Sequence, residues 1–63
     1  MKEYFVVWEV YSEDWKLKEK GYDFLIVLDN QSLMQVVDEF CSNSAEARDI
    51  KEKLFIVSSL QPI

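Results

Sequence analysis

Histidine is absent from this chain of 63 residues, and cysteine, glycine and proline occur once each. Without histidine there is no Ser-His or Cys-His nucleophile pair and no imidazole metal ligand. The single Cys41 cannot close a disulfide within the chain. No disulfide framework therefore holds the fold, and a reducing, cytoplasmic setting is expected. One glycine rules out a glycine-rich phosphate loop, and so few Gly and Pro rule out a low-complexity or linker-like chain. No internal repeat is present. No apolar run approaches the roughly 20 residues needed to span a bilayer. The start, Met1-Lys2-Glu3, runs straight into a strand pattern and lacks the form of a signal peptide.

What the chain does have is apolar content, at 49%, beside 30% charged residues. That balance is globular rather than disordered. At this length the expectation is one domain near the lower limit for folding unaided, residues 1–63. Twelve acidic and seven basic residues give a net charge of −5. Nucleic acid and anionic membranes reward clustered Lys and Arg, so neither is expected as a direct partner. A protein with a basic surface is compatible, and ordinary solubility accounts for the charge equally well.

Two apolar faces on one strand are the strongest pattern. In Tyr4–Tyr11, one alternating set is Tyr4, Val6, Trp8 and Val10, and the other is Phe5, Val7, Glu9 and Tyr11. Tyr22–Leu28 repeats this, with Tyr22, Phe24, Ile26 and Leu28 on one side and Asp23, Leu25 and Val27 on the other. A strand with one wet face alternates apolar and polar, and these do not. The first strand is expected from about Glu3 to Tyr11 and the second from about Tyr22 to Leu28. Between them lies a charged connection from Ser12 to Gly21, where Gly21 is expected to supply a positive φ or a bulge.

Helix-start signals cluster at Asp29-Asn30-Gln31-Ser32. Asp29 as cap pairs with a Leu28/Leu33 staple, and Ser32 with Gln35 forms a capping box instead. Leu33, Val36, Val37, Phe40 and Cys41 then mark one buried stripe. Ser42-Asn43-Ser44 interrupts it. The segment to Lys53 reads as a second short helix or a kinked continuation, with Ala47 and Ile50 inward. Leu54–Val57 is the third strand, and Pro62 ends regular pairing.

A right-handed crossover makes the second and third strands parallel to each other, and the first strand pairs antiparallel with both. The expected fold is therefore α+β: a three-stranded antiparallel sheet in ββαβ order, first strand central, with one helix or a kinked helix pair on one face. Tyr4, Val6, Trp8, Val10, Tyr22, Phe24, Ile26 and Leu28 are expected under the helix, with Trp8 meeting Phe40. Phe5, Val7, Glu9, Tyr11, Leu25 and Val27 are expected on the open face, as a partner-binding or homodimer surface.

Enzyme chemistry finds little footing. Cys41 lies on the buried stripe, which favours a packed thiol over a nucleophile. Asp38 and Glu39 are adjacent on the outer helix face, where water keeps both ionised. Asp29-Asn30 lacks the ligand spacing and terminal Glu of a calcium loop. No catalytic group, metal or cofactor is expected. Asp38, Glu39, Glu46 and Asp49 share one outward side if helical phase survives Ser42–Ser44, which puts Glu39 and Glu46 roughly 11 Å apart. A globule of this size is roughly 27 Å across, and duplex DNA of that length carries about 16 charges. Against a net −5, full DNA mimicry is not expected, and a local acidic contact is the most this pattern supports. Trp15, flanked by Glu13, Asp14, Lys16 and Lys18, reads either as a binding anchor or as a lid over the open face.

In element order and size, from Tyr4-Phe5-Val6-Val7-Trp8 through Leu54-Phe55-Ile56-Val57, the chain resembles small phage-encoded inhibitors of host machinery. These include the small phage inhibitor of bacterial RNA polymerase and some anti-CRISPR proteins. The resemblance implies a non-enzymatic protein that binds a host protein, and it carries no functional residue across. The alternative is a structural homodimer without inhibitory activity.

Overall fold

The computed structural model describes residues Met1–Ile63. Strand β1 (Lys2–Tyr11) and strand β2 (Leu17–Val27) form a hairpin, followed by helix α1 (Leu33–Ala47), a 3-10 turn (Glu52–Leu54) and strand β3 (Phe55–Pro62). The sheet order is β2-β1-β3 and both pairings are antiparallel, with β1 central. This is the expected α+β ββαβ fold. No helix is long and apolar enough to cross a membrane. The molecule measures 38 × 19 × 14 Å, longer than the compact sphere expected. Duplex DNA of that length carries about 22 charges, which widens the gap to a net −5.

The hairpin differs from expectation in one decisive way. Half of the charged connection, Leu17 to Gly21, is strand, and only Ser12 to Lys16 joins the two strands. Past the loop, Tyr11 pairs with Leu17 but Val10 pairs with Glu19, so Lys18 is an extra, unpaired residue. This bulge shifts β2 by one position, and a one-residue shift turns every later side chain to the other face. Three pairings favour the shifted register. Glu9 faces Lys20 rather than Glu19, Trp8 faces Gly21 rather than Lys20, and Phe5 faces Phe24 rather than Asp23.

Gly21 accordingly has a different role from the one expected. Its φ is not positive. The Trp8 indole lies over it so closely that a Cβ would sit 2.4 Å from Trp8 Cζ2. In β3 a second bulge leaves Ser58 between the Val7–Ser59 and Trp8–Val57 pairs, and its hydroxyl donates to the Val7 carbonyl at 3.3 Å. Phe55, Val57 and Leu60 thereby all share the face of Val6, Trp8 and Val10.

The helix is a single one and runs through Ser42–Ser44 without a break. Ser32 is its cap, with the hydroxyl accepting from the Gln35 amide at 3.1 Å, and Gln31 Oε1 accepts from the Leu28 amide. At the other end the Ile50 amide donates to the Ala45 carbonyl and the Asp49 amide to the Glu46 carbonyl. This is a Schellman ending, with Asp49 at φ 54 in the place usually given to glycine. Because the phase continues, Ala45 is the buried alanine and Ala47 is exposed.

The core is small. Trp8, Val10, Ala45 and Phe55 form its centre, with Phe40, Cys41 and Ile50 packed against them. Trp8 and Phe40 do not stack directly, because Phe55 stands between them. Its ring stacks on Trp8 at 5.4 Å and meets Phe40 edge-on at 5.6 Å. The Arg48 guanidinium closes the end of the core, 4.6 Å from the Trp8 ring, and pairs with Glu19 at 3.4 Å.

Candidate functional site

The helix covers one side of the sheet, and no element lies over the other. Odd-numbered residues of β1 point to the open side: Phe5, Val7, Glu9 and Tyr11, as expected. Leu25 and Val27 do not join them. Both are buried under the helix, at 8% exposure each, because the Lys18 bulge pairs Leu25 with Tyr4 and Val27 with Lys2. Their places are taken by Tyr22, Phe24 and Ile26, which stand on the open face at 66%, 57% and 52% exposure. Leu28, just past the strand, is half exposed rather than buried.

The open face is aromatic along much of its length. Phe5 lies 5.7 Å from Tyr22 and 5.5 Å from Phe24, and the latter two meet edge-on at 6.2 Å. Aromatic pairs in these geometries add attraction beyond area alone, so the rings hold one another in place. Glu9, in the middle of this face, has partners. Lys20 Nζ sits 3.8 Å from it, and the Tyr11 hydroxyl donates to it at 2.9 Å. That hydrogen bond raises the Tyr11 pKa above the ordinary tyrosine value, with partial desolvation and the Glu9 charge adding to it.

Past Glu9 and Lys20, Tyr11 and Trp15 form a second aromatic group on this side, their rings 6.0 Å apart. The hairpin loop explains the pose of Trp15. The Trp15 amide donates to the Ser12 carbonyl and the Ser12 amide to the Lys16 carbonyl, a three-residue loop ending in a left-handed residue. That residue is Trp15, at φ 63. A bulky side chain in this region is a true outlier, tolerated only where the surroundings enforce it. The Ser12 hydroxyl supplies part of that enforcement by bonding the Asp14 carboxylate and accepting from the Lys16 amide. The Asp14 pKa is lowered, mainly by the Ser12 hydroxyl. Trp15 is 56% exposed and leans on Tyr11 without covering the face, so it extends the patch rather than closing it.

Asp38, Glu39, Glu46 and Asp49 form a separate surface on the helix side. All four are exposed and none is in an ion pair. Helical phase does survive, so Glu39 and Glu46 sit two turns apart as expected. This surface is on the opposite side of the molecule from the aromatic face, so the expected partner-binding residues divide between two sides.

Two other places were candidates for chemistry. An open cleft between the hairpin and the helix C-terminus, about 890 Å³, is lined by Tyr11, Glu13, Lys18, Glu19, Arg48 and Lys51, among others. Four of its charges pair across it, Arg48 with Glu19 and Lys51 with Glu13 at 3.2 Å, which leaves Lys18 and Asp49 unpaired. Cys41 is half-buried in the core margin, and burial pushes its thiol pKa up, with Glu52 and Asp38 adding to this. That is the opposite of an activated thiolate. No three Cys, Asp or Glu side chains converge closely enough to hold a metal ion.

Compared with family models, with curated proteins and with solved structures, the chain finds no match. The functional reading therefore rests on the geometry above.

Proposed function

We propose that this chain is a small non-enzymatic protein-binding module and that the open aromatic face of its sheet is where it binds. One observation carries the reading: Phe5, Tyr22, Phe24 and Ile26 share a sheet face that no part of the chain covers. Contiguous exposed apolar surface of several hundred Å² on a monomer marks an interaction site. Aromatic side chains are also the residues that most often carry binding energy at interfaces. The absence of histidine from the sequence and the packed, deactivated Cys41 support a role without catalysis. The narrower assignment is a phage or mobile-element inhibitor, in the host cytoplasm, of a host transcription or defence protein. It is proposed on layout and size alone.

The test is a pull-down from the natural host followed by calorimetry with the purified partner. Tyr22→Lys and Phe24→Lys should each abolish binding, whereas Glu39→Lys should not. The wild-type heat-capacity change on binding should be clearly negative, the marker of apolar burial. Binding that tolerates both sheet-face changes and fails with Glu39→Lys and Glu46→Lys would move the site to the acidic helix side.

A further inference from the structure

We propose that the occupant of the open face is a second copy of this chain, packed sheet to sheet about a two-fold axis. This rests on reading the face as a docking surface and goes further by naming its occupant, so a host protein binding there would compete with the second copy.

Area is the first argument. Trp15, Leu17, Tyr22, Phe24 and Ile26 are each more than half exposed. An aromatic side chain offers about 150–250 Å², so these five alone leave about 500–600 Å² uncovered on each copy. Two copies face to face would bury about 1,000–1,200 Å² from these five, which borders the lower end of specific, stable interfaces. Half-buried Phe5, Val7 and Ile56 on the same face add to this.

Charge is the second argument. The chain carries −5, and a uniformly acidic surface would repel its own copy. The open face does not share that excess. Its strand charges are Glu3, Glu9 and Lys20, and the last two are paired with each other. The unpaired acids Asp38, Glu39, Glu46 and Asp49 are on the far side, which in a sheet-to-sheet pair points outward. The open face thus fits an apolar, nearly neutral mate, and another copy of itself is one.

Geometry is the third. The Ile63 amide donates to the Glu3 carbonyl, so odd β1 residues bond β3 and even ones bond β2. The Phe24 amide therefore points out along the free edge of β2. There it donates to Asp23 Oδ1 at 2.8 Å. A charged side chain on a sheet edge discourages an incoming strand, and here it also occupies an edge amide. Pairing at this point of the β2 edge is thereby disfavoured, and the apolar face is the larger surface on offer. Antiparallel sheets stack face to face about 10 Å apart in nearly aligned pairs, and a two-fold axis makes such a contact self-complementary.

The experiment is sedimentation equilibrium of the full chain from low micromolar to near-millimolar concentration. It is joined by isotope-filtered NOEs between labelled and unlabelled copies. The expected result is a dimer with intermolecular NOEs at Phe5, Tyr22 and Phe24. Phe24→Lys and, as an independent variant, Ile26→Lys should weaken dimerisation by about a hundredfold or more, because symmetry changes both sides at once. Both side chains are mostly exposed, so circular dichroism should show folded monomers. Glu39→Lys with Glu46→Lys should leave the dimer constant unchanged. A wild type that stays monomeric throughout, or a dimer indifferent to both sheet-face variants, overturns the proposal. A monomeric wild type that still captures a host protein through Phe24 sinks only the second copy, while one that binds nothing through this face sinks the docking reading too.

Discussion

Gly21→Ala is the sharpest test of the fold, because it isolates one steric contact. Gly21 has no positive φ, so an alanine meets no backbone strain there. In a strand interior alanine gains roughly 0.5–1 kcal/mol over glycine from unfolded-state entropy. Against that stands Trp8. The new methyl would sit 2.4, 2.8 and 2.9 Å from Trp8 Cζ2, Cη2 and Cε2, well inside any real contact. The indole must move, yet it is stacked on Phe55 and lies beneath Arg48, so moving it disturbs the centre of the core. Overpacking of this kind costs about 1–3 kcal/mol. The net expectation is a loss of about 1–2 kcal/mol, or a melting temperature lower by roughly 5–15 °C in a domain this small. Thermal and urea unfolding at one fixed protein concentration give the number. A Trp8→Phe background removes most of the offending ring, so the same glycine change there should cost clearly less. An alanine that is neutral or stabilising in the wild type would refute the reasoning. So would an equal loss in both backgrounds. Either result would mean that Gly21 does not face Trp8, and hence that the Lys18 bulge is misplaced.

Phe55→Ala should cost about 3–5 kcal/mol by urea unfolding, more than Phe40→Ala, because Phe55 is buried and touches both Trp8 and Phe40. Asp49→Gly should stabilise by roughly 1 kcal/mol, since φ 54 is strained for aspartate and free for glycine, and a lowered melting temperature would contradict it. Tyr11 has a raised pKa, so its hydrogen bond to Glu9 favours the fold below the unfolded tyrosine value and is lost as pH rises through the folded one. Glu9→Gln should therefore bring the Tyr11 titration to lower pH, read by tyrosinate absorbance. Asp23→Ala should free the Phe24 edge amide and promote fibrous aggregation, followed by light scattering with the wild type as control.

Much of the fold is legible in the sequence because it follows from pattern. Element order, the antiparallel sheet with β1 central, and the helix stripe from Leu33 to Cys41 all come from periodicity and handedness. The phase of β2 does not. Both of its faces are apolar, so hydrophobicity cannot say whether Tyr22-Phe24-Ile26 or Leu25-Val27 is buried. One residue, Lys18, decides it by standing unpaired in the ladder. The deciding signal was nevertheless present as charge. Without the bulge Glu9 faces Glu19, and with it Glu9 faces Lys20, so cross-strand electrostatics select the register that hydrophobicity leaves open. The helix run through Ser42-Asn43-Ser44 was hidden for a different reason. Polar residues weaken intrinsic helix propensity, but Phe40, Cys41 and Ala45 are anchored against the sheet on both sides of the interruption, and packing overrides propensity.

The candidate site turns on the same residue. In the unshifted register, Tyr22, Phe24 and Ile26 would go under the helix, and the open face would hold Leu25, Val27 and Asp23 instead. The bulge reverses that choice. It sends the smaller Leu25 and Val27 into a core only eight buried residues strong, and it sets the larger aromatic side chains on the exposed side. A small core gains less from Leu and Val than it would from Tyr and Phe, so this arrangement forgoes burial within the chain. What it gains is an aromatic cluster of Phe5, Tyr22 and Phe24 on the exposed side, separated by Val7 and the Glu9–Lys20 pair from a second group of Tyr11 and Trp15, with the edge amide of Phe24 occupied by Asp23. Apolar area withheld from the core and guarded against edge pairing is stabilising only when another surface covers it. If that surface is a second copy, melting temperature must rise with protein concentration, because mass action then contributes to folding. A melting temperature constant across a hundredfold dilution would show that the face is not held against a second copy.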